Sequence, residues 1–374
     1  MKRRTFMQST CCGGLLALVG GSILPACRER QIQSRHSNTP GSMQRISHLS
    51  EETAEILYYA SLAPSTHNTQ PWTVRLLDSR TWIIEADQSR SLPAVDPDNR
   101  ELLLSLGAFA ENLAVAAGAS GLQAEFEVLA RDRFERDILT VVLKPGPSKD
   151  FPLKSLERRQ TVRNGLQNRP LRDNHVQELA SLLPDHFFYF PRASEHAGCL
   201  ARGTAKYFRI QSYRDETQTE LTRWLRLNPK SANKNRDGLT LQSMGINGLK
   251  AWFMRHFVKP EDFLKASFRE KGVEAVSEQT RQGGGWIVLT SQDNSVGQLI
   301  ETGRAFQRIA LKACERNIGL HPMSQYLEEA GGKEDIRSEH RPELRPQFLI
   351  RAGYVSEFPE PVSPRRPVGW FVRS

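Results

Sequence analysis

The sequence predicts an α+β protein in which two copies of one helix-and-sheet unit are joined in a single chain. Short apolar runs suited to strands alternate with helical runs in both halves, and each half contains one long helix. The phrases GAFAEN at 107–112 and GRAFQR at 303–308 each open a run of apolar helical turns that closes at a Gly-Leu pair. Such a repeat indicates an internal duplication, and we expect the two long helices to pack together in the middle of the molecule.

The first half is predicted over residues 46–150. Ser50 is a suitable N-cap for a helix that ends at Pro64. Four strands are expected at 72–77, 81–86, 126–129 and 139–143, with a long helix over 99–120 between the two pairs. Apolar residues cover nearly every side of that helix, so it must be buried all round.

The second half is predicted over residues 151–374. It repeats the order with a strand at 286–290, a helix over 295–317 and a strand at 347–351. Residues 226–283 interrupt it with a polar, basic stretch and aromatic-rich helical segments. This interruption is either ordinary peripheral packing or a lid over a site.

Residues 1–27 are predicted to be an export signal and residues 28–45 a flexible tether. Arg3-Arg4 followed by Phe6 resembles the twin-arginine signal, and the run ending at Cys27 resembles a lipoprotein processing site, from which Pro25 departs. We therefore expect a protein exported in the folded state to the periplasm or the outer face of the membrane, either free or anchored through a lipid on Cys27. A plain amphipathic N-terminus is the alternative.

The formal charge of +9 raises the possibility of an anion-binding site. Nucleic-acid binding is disfavoured, because the basic residues are spread along the chain without an aromatic-interleaved stripe. A metal site is disfavoured as well, because the cysteines outside the leader, Cys199 and Cys314, show no ligand spacing.

Four phrases carry a family resemblance: APSTHNTQPW at 63–72, RRQTVR at 158–163, GLHPMSQY at 319–326 and SPRRP at 363–367. In this order they resemble the motifs of nitroreductases, and most of all the Acg-like branch, in which two nitroreductase units are fused. The resemblance spans roughly residues 50–370. It implies a three-layer nitroreductase-like fold in which the fused halves form a monomeric pseudo-dimer.

The resemblance also implies flavin mononucleotide (FMN) as the cofactor, bound between the halves. The first half holds APSTHN and the second holds RRQTVR and PRRP, so these parts complement each other in one FMN site only. The cofactor-binding residues that it implies are Pro64, Ser65, Asn68, Gln70, Arg158, Arg159, Thr161, Arg163, Pro322, Met323, Ser324, Gln325, Arg365 and Arg366. No catalytic residue is assigned.

The chemistry of these residues suits FMN, because guanidinium forks and a hydroxyl bind a phosphate while amides and backbone groups bind the polar edge of the ring. Each phrase also has a structural interpretation when taken alone: a solvated helix start for Arg158-Arg159, a polar turn for 68–71 and an exposed tail for 364–367. His67 is either a surface histidine or a catalytic one.

Two departures from the family pattern bear on the reaction. Gln160 and Ser324-Gln325 stand where the family usually has Ser and Glu-Gly, and no nicotinamide platform is recognisable. These departures leave the electron donor open. Because reduced nicotinamides are scarce outside the cytoplasm, the predicted export favours a membrane quinol or a redox protein as the donor. We expect an FMN-dependent oxidoreductase that passes electrons to a small-molecule acceptor such as a quinone or a nitroaromatic compound. The alternatives are a non-catalytic FMN-storage protein with a closed lid and a lipid-anchored interaction module with a vestigial site.

Overall fold

The computed structural model describes residues 49–147, 151–339 and 345–373. The predicted export signal, tether and anchor at Cys27 lie outside these residues and stay predictions.

The first half forms its elements in the predicted order. Ser50 caps the first helix, since its Oγ accepts a hydrogen bond from Thr53 N at 3.1 Å. The element bounds are α1 Glu51–Ser61, β1 Trp72–Leu76, β2 Thr81–Ala86, α2 Arg100–Ala119, β3 Leu122–Val128 and β4 Asp137–Pro145.

The second half contains the three predicted elements and several that the sequence analysis did not predict. Its bounds are α3 Leu153–Arg158, α4 Asp173–Ala180, β5 Phe187–Pro191, α5 Glu195–Ser212, α6 Asp215–Trp224, β6 Leu225–Arg226, α7 Pro229–Asn235, β7 Leu239–Thr240, α8 Gly248–Phe257, α9 Ala266–Thr280, β8 Gly285–Ser291, α10 Val296–Glu315, β9 Ile318–Pro322, α11 Gln325–Glu328, α12 Ala330–Glu339, β10 Arg345–Tyr354 and β11 Val372–Arg373.

Two sheets of the same strand order flank the long helices. The first has the order β11-β1-β2-β4-β3 and the second β5-β8-β10-β9. Neighbouring strands are antiparallel in both β1-β2-β4-β3 and β5-β8-β10-β9. The long helices occupy equivalent positions, since α2 connects β2 to β3 and α10 connects β8 to β9. Strand β11 adds in parallel to β1, with Val372 beside Val74. The C-terminal strand therefore completes the sheet of the first half.

Helices α2 and α10 cross at a pair of glycines. A Cβ atom on Gly107 would lie 2.2 Å from Ile300 O, and one on Gly303 would lie 2.1 Å from Leu104 O. The contact is reciprocal, because Ile300 lies three residues before Gly303 and Leu104 lies three residues before Gly107. Absence of a side chain is what lets the two backbones approach this closely.

The main apolar core is continuous across the two helices and both sheets. Helix α2 is buried over nearly its whole length, as its apolar pattern predicted. Among the described residues it is the one helix long and apolar enough to cross a membrane, a test that a buried core helix of this kind also passes.

Residues 195–280, from α5 to α9, are inserted between β5 and β8, where the first half has only a short turn between β1 and β2. The later part of this insertion has its own apolar cluster, which includes Leu225, Leu241 and Met254. The predicted interruption at 226–283 therefore forms the second part of a larger insertion.

The first part of the phrase at 319–326 forms a strand that the sequence analysis did not predict. Residues 318–322 form β9, which pairs with β10, and a short helix follows. Four of the five residues of β9 are buried, so the strand lacks the apolar-polar alternation that would have revealed it.

Candidate functional site

A cavity with two adjoining lobes lies where the predicted phrases meet. Both lobes are lined by Pro64, Ser65, His67, Thr161 and Arg163. The basic lobe, about 220 Å³, also contacts Asn68, Arg159, Arg365 and residues of the insertion between 239 and 247. The mixed lobe, about 160 Å³, also contacts Glu101, Leu104, Ser105, Ala108, Gln211, Phe306, Pro322, Ser324, Gln325, Glu328 and Phe348. Ligand pockets typically enclose about 300–1,000 Å³, so the two lobes together reach that range.

The turn after α1 has an unusual backbone. His67, Asn68 and Gln70 have φ values of 49°, 54° and 54°, in the left-handed region that non-glycine residues seldom occupy. Ser65 holds this turn, because its Oγ accepts from Gln70 N at 2.9 Å and its carbonyl accepts from Asn68 N at 2.9 Å. The strained turn aims His67 and Asn68 at the cavity.

Asn68 and Arg365 bind each other beside the basic lobe. Arg365 Nη1 donates to Asn68 Oδ1 at 2.9 Å, and Nη2 donates to the carbonyls of Leu62 and Ala63 at 3.1 Å. Asn68 Nδ2 donates to the carbonyls of Gly238 and Pro364. Asn68 is therefore held by the fold on both sides of its amide, and Arg365 brings a buried positive charge to the lobe.

Gln70 and Arg366 are not among the residues that line the cavity. Arg366 Nη2 donates to the carbonyls of Gln70 and Trp72 at 2.6 and 2.7 Å, and its backbone N donates to Gln70 Oε1 at 2.9 Å. Gln70 Nε2 donates to Arg236 O at 2.9 Å. These two residues therefore join the turn, the insertion and the C-terminal segment to one another.

Consecutive arginines at the end of α3 point in different directions. Arg159 is buried and lines the basic lobe, and burial lowers its pKa to about 10, so it stays cationic at neutral pH. Arg158 is exposed, donates to Asn317 Oδ1 at 3.1 Å and lies over the ring of Phe358. Neighbouring residues at a helix end project about 100° apart, so only Arg159 reaches the cavity.

Thr161 and Arg163 follow on a segment tied to β9 by a hydrogen bond from Val162 N to Leu320 O at 2.9 Å. Arg163 is half-buried, donates to Ser243 O at 2.7 Å and lies 2.6 Å from His321 Nε2. Burial, and then the charges of Arg163 and Arg351, lower the pKa of His321 well below its usual value. Burial lowers the pKa of Arg163 to about 10, so its guanidinium stays cationic at neutral pH at the junction of the lobes.

The end of β9 contributes three residues to the cavity. Pro322, Ser324 and Gln325 line the mixed lobe, and Gln325 Oε1 is a buried acceptor that has no hydrogen-bond partner among the described residues. Met323 instead packs into an apolar cluster with Tyr326, and its backbone N donates to Leu349 O at 2.8 Å. Met323 is thus not among the residues that line the cavity.

Two carboxyl groups in the mixed lobe, the buried Glu101 and the half-buried Glu328, were missed by the sequence analysis. Glu101 accepts from Thr66 Oγ1 at 2.7 Å, and Glu328 accepts from Gln211 Nε2 at 2.5 Å. Burial raises the pKa of Glu328 well above its usual value, and Glu101 adds to the shift. Glu328 closely follows the phrase at 319–326, but Gln211 comes from the insertion, where no local pattern marked it.

The arrangement suits an elongated anion with a flat apolar part. Arg159, Arg163 and Arg365 supply positive charge at one end. At the other end Phe306 and Phe348 lie stacked with ring centroids 4.3 Å apart. An unsatisfied acceptor such as Gln325 Oε1 calls for a donor from a bound group, because a buried polar atom left unpaired costs about 1–3 kcal/mol.

Comparisons with known proteins identify relatives that extend over most of the chain. No protein-family model matches it. A protein provisionally named NAD(P)H nitroreductase acg from Mycobacterium tuberculosis is 24% identical over 329 residues, which are 83% of this chain and 91% of that protein. The NAD(P)H nitroreductase PigM of a Serratia species, also provisionally named, is 24% identical over 324 residues, 82% of this chain and 89% of that protein. The chain is thus similar in sequence to nitroreductase-family proteins over nearly their whole length.

Solved structures of nitroreductase-like proteins also match, at lower similarity. A nitroreductase-like family protein from Bacillus cereus is 13% identical, with a TM-score of 0.33, over 58% of this chain and 91% of the other. A protein from Anabaena variabilis, provisionally named a nitroreductase, is 13% identical with a TM-score of 0.31, over 74% of this chain and 69% of the other.

Proposed function

We propose that this chain is an FMN-dependent oxidoreductase of the nitroreductase type, with one cofactor site in the two-lobed cavity. The observation that carries the proposal is that four distant segments of the chain line one cavity, which has a basic lobe and a second lobe with two phenylalanine rings. The names of the relatives support the reaction class. Bound FMN would supply the electron chemistry, accepting electrons from a donor and passing them to a quinone-like or nitroaromatic-like acceptor.

The residues of the basic lobe would hold the phosphate. Arg159 and Arg163 provide charged donors and Thr161 a hydroxyl, while Arg365 contributes charge from behind the turn. Charge-assisted hydrogen bonds to guanidinium groups are roughly twice as strong as neutral ones. The phosphate would therefore fix the orientation of the cofactor.

The mixed lobe would hold the ring. Ser65 and Ser324 lie where hydroxyl or backbone groups can meet its polar edge, and Gln325 Oε1 is an acceptor suited to a ring N–H. Phe306 and Phe348 give an apolar wall. Together these side chains would exclude water from one side of the ring.

We propose further that the chain arose by internal duplication and forms a pseudo-dimer. The equal strand orders of the two sheets and the reciprocal glycine contact of α2 and α10 support this. Strand β11, which joins the sheet of the other half, ties the two units into one body.

FMN storage is the second candidate, and one observation favours it. The insertion lines the basic lobe, and Arg163 and Asn68 both hydrogen-bond to it, so access to a bound cofactor is restricted. Photoreduction of the purified holoprotein followed by added menadione separates the two. Rapid re-oxidation supports the enzyme, and a flavin that stays reduced supports storage.

The electron donor can be tested in the same way. The relatives are named for NAD(P)H, whereas the predicted export of this chain favours a membrane quinol or a redox protein. Reduction by NADPH with a micromolar apparent affinity would support the nicotinamide donor and contradict the other two.

The phosphate site is tested with the neighbouring arginines. Arg159→Ala should weaken FMN binding by roughly 10–100-fold, because one charge-assisted contact is worth about 1.5–3 kcal/mol. Riboflavin, which lacks the phosphate, should bind the variant almost as well as it binds the wild type. Titration of both flavins into the flavin-free protein measures this.

Arg158→Ala is the matched control and should leave both affinities unchanged, because Arg158 lies outside the cavity. Arg159→Lys should recover part of the FMN affinity. Equal losses for FMN and riboflavin, or the same loss in the two alanine variants, would remove Arg159 from the phosphate site.

A further inference from the structure

Helix α8 exposes apolar side chains on a face that the fold does not cover. Its other face, with Ala251 and Met254, is buried in the apolar cluster of the insertion. A surface helix normally carries polar residues opposite its buried stripe. The exposed fractions on α8 are 81% for Leu249, 48% for Trp252, 53% for Phe253 and 63% for Phe257.

The aromatic rings of this helix form one continuous surface, here named the α8 aromatic face (Trp252, Phe253, His256 and Phe257). The ring centroids of Phe253 and Phe257 are 5.1 Å apart, and those of Trp252 and Phe257 are 5.9 Å apart. His256 lies against Trp252 at 4.9 Å. Contiguous exposed apolar surface of this kind marks an interaction site.

The charge around the face identifies the kind of partner. Residues 248–259 contain three cationic residues, Lys250, Arg255 and Lys259, and no Asp or Glu. A second copy of the chain would bring like charges together, so the charge pattern favours an anionic partner with an apolar interior.

The N-terminal end of α8 adjoins the cavity. Gln242, Ser243, Gly245 and Asn247, which precede α8 in the chain, line the basic lobe. A surface that binds α8 would therefore lie close to the cavity.

We propose that α8 docks the protein on an anionic lipid bilayer. Its aromatic face enters the boundary between head groups and acyl chains, and Lys250 and Lys259 lie at the lipid phosphates, the arrangement typical of amphipathic helices that lie in the interface. One consequence rests on the proposed function: a lipid-soluble quinone in that bilayer is the substrate class delivered to the cavity. The docking itself needs no flavin.

Co-sedimentation of the full chain with vesicles tests the docking. Phe257→Ser should weaken binding to vesicles containing phosphatidylglycerol roughly tenfold, because a phenylalanine side chain no longer enters the apolar layer. Phe134→Ser is the matched control, since Phe134 is 62% exposed on the first half, and should bind like the wild type. Phosphatidylcholine vesicles should bind the wild type more weakly than the anionic ones.

A local readout separates α8 from any contribution of the leader, which contains no tryptophan. Brominated lipids should quench the fluorescence of the wild type more than that of Trp252→Phe. Trp370, 52% exposed, provides the control: Trp370→Phe should be quenched like the wild type.

Equal vesicle binding by Phe257→Ser and Phe134→Ser, together with equal quenching of the wild type and Trp252→Phe, would overturn the proposal. It would also be overturned if Trp252 were already shielded from iodide without vesicles, because another segment or a second copy would then cover α8. Flavin content is measured on every variant. Failure of docking with normal flavin content leaves the cofactor site intact, whereas loss of flavin with normal docking contradicts only the proposed function.

Discussion

At the residue scale, His67 lies where the two lobes of the cavity meet. Its backbone is left-handed and its Nδ1 atom is buried, with no hydrogen-bond partner among the described residues. Burial lowers the pKa of His67 to about 4, with Glu101 opposing the shift and Arg163 adding to it. The imidazole is therefore neutral at physiological pH and able to accept or donate one hydrogen bond toward a ligand.

The low pKa of His67 predicts a pH dependence of stability. Between pH 6.5 and about 4 the unfolded chain binds a proton at this site and the folded chain does not, so the free energy of unfolding falls as the pH falls. The contribution is at most about 1.4 kcal/mol per pH unit. His67→Gln should make urea unfolding of the flavin-free protein less sensitive to acid across this range.

The exposed His256 on α8 provides the control for this prediction. His256→Gln should retain the pH dependence of the wild type. If both variants unfold with the pH dependence of the wild type, the buried and neutral state of His67 is wrong.

At the scale of the elements, the crossing of α2 and α10 positions the cavity. Both helices line the mixed lobe, α2 through Glu101, Leu104, Ser105 and Ala108 and α10 through Phe306. Their separation is set at Gly107 and Gly303, where an added Cβ would meet backbone oxygen atoms that cannot swing aside. Side-chain volume at these two positions therefore controls the width of the site.

Gly303→Ala should destabilise the protein by about 1–3 kcal/mol, because overpacking forces the two backbones apart. The melting temperature and the midpoint of urea unfolding should both fall. Gly297→Ala on the same helix is the control, since its Cβ would meet nothing nearer than Val128 Cγ2 at 3.9 Å and alanine favours helix. A Gly303→Ala variant as stable as Gly297→Ala would mean that the crossing is not tight.

At the scale of the whole molecule, the proposed duplication would relate the cavity to a second position beside Arg304. When the two halves are aligned with Gly107 on Gly303, Ala108, which lines the mixed lobe, corresponds to Arg304. Arg304 Nε donates to Glu111 at 3.0 Å, Nη1 donates to Glu301 at 3.1 Å, and the guanidinium lies 4.9 Å above the ring of Phe126. Under the proposed duplication, ion pairs and an aromatic ring thus lie where a second site is expected.

We therefore expect one FMN per chain. The flavin is extracted from purified holoprotein and quantified against the protein concentration. A ratio near one agrees with a single site made of complementary phrases from the two halves. A ratio near two would contradict both the assignment of those phrases and the blocking role of Arg304.

Much of the fold is readable from local patterns. Strand β2 was predicted with its bounds, and α2 and α10 to within two residues at each end, because caps, glycines and apolar periodicity are local properties of the chain. Strands β5 and β9 were not predicted, since their pairing depends on β8 and β10, which are distant in sequence. The composition of residues 226–283 revealed the later part of the insertion, but nothing in the sequence indicated that the insertion begins earlier, with α5.

The candidate site, like the fold, could be predicted from the sequence only in part. Its phrases and its basic character follow from residue types and their order along the chain, and the structure brings all four phrases together. Three-dimensional packing decides which residue of each phrase faces the cavity. Arg159 faces it and Arg158 does not. Arg365 borders it, whereas Arg366 binds the carbonyls of Gln70 and Trp72. The direction of a side chain depends on the local backbone dihedral angles and on distant hydrogen-bond partners, so adjacent identical residues cannot be told apart by sequence. Glu328 and Gln211 likewise meet only because the insertion folds back over the mixed lobe.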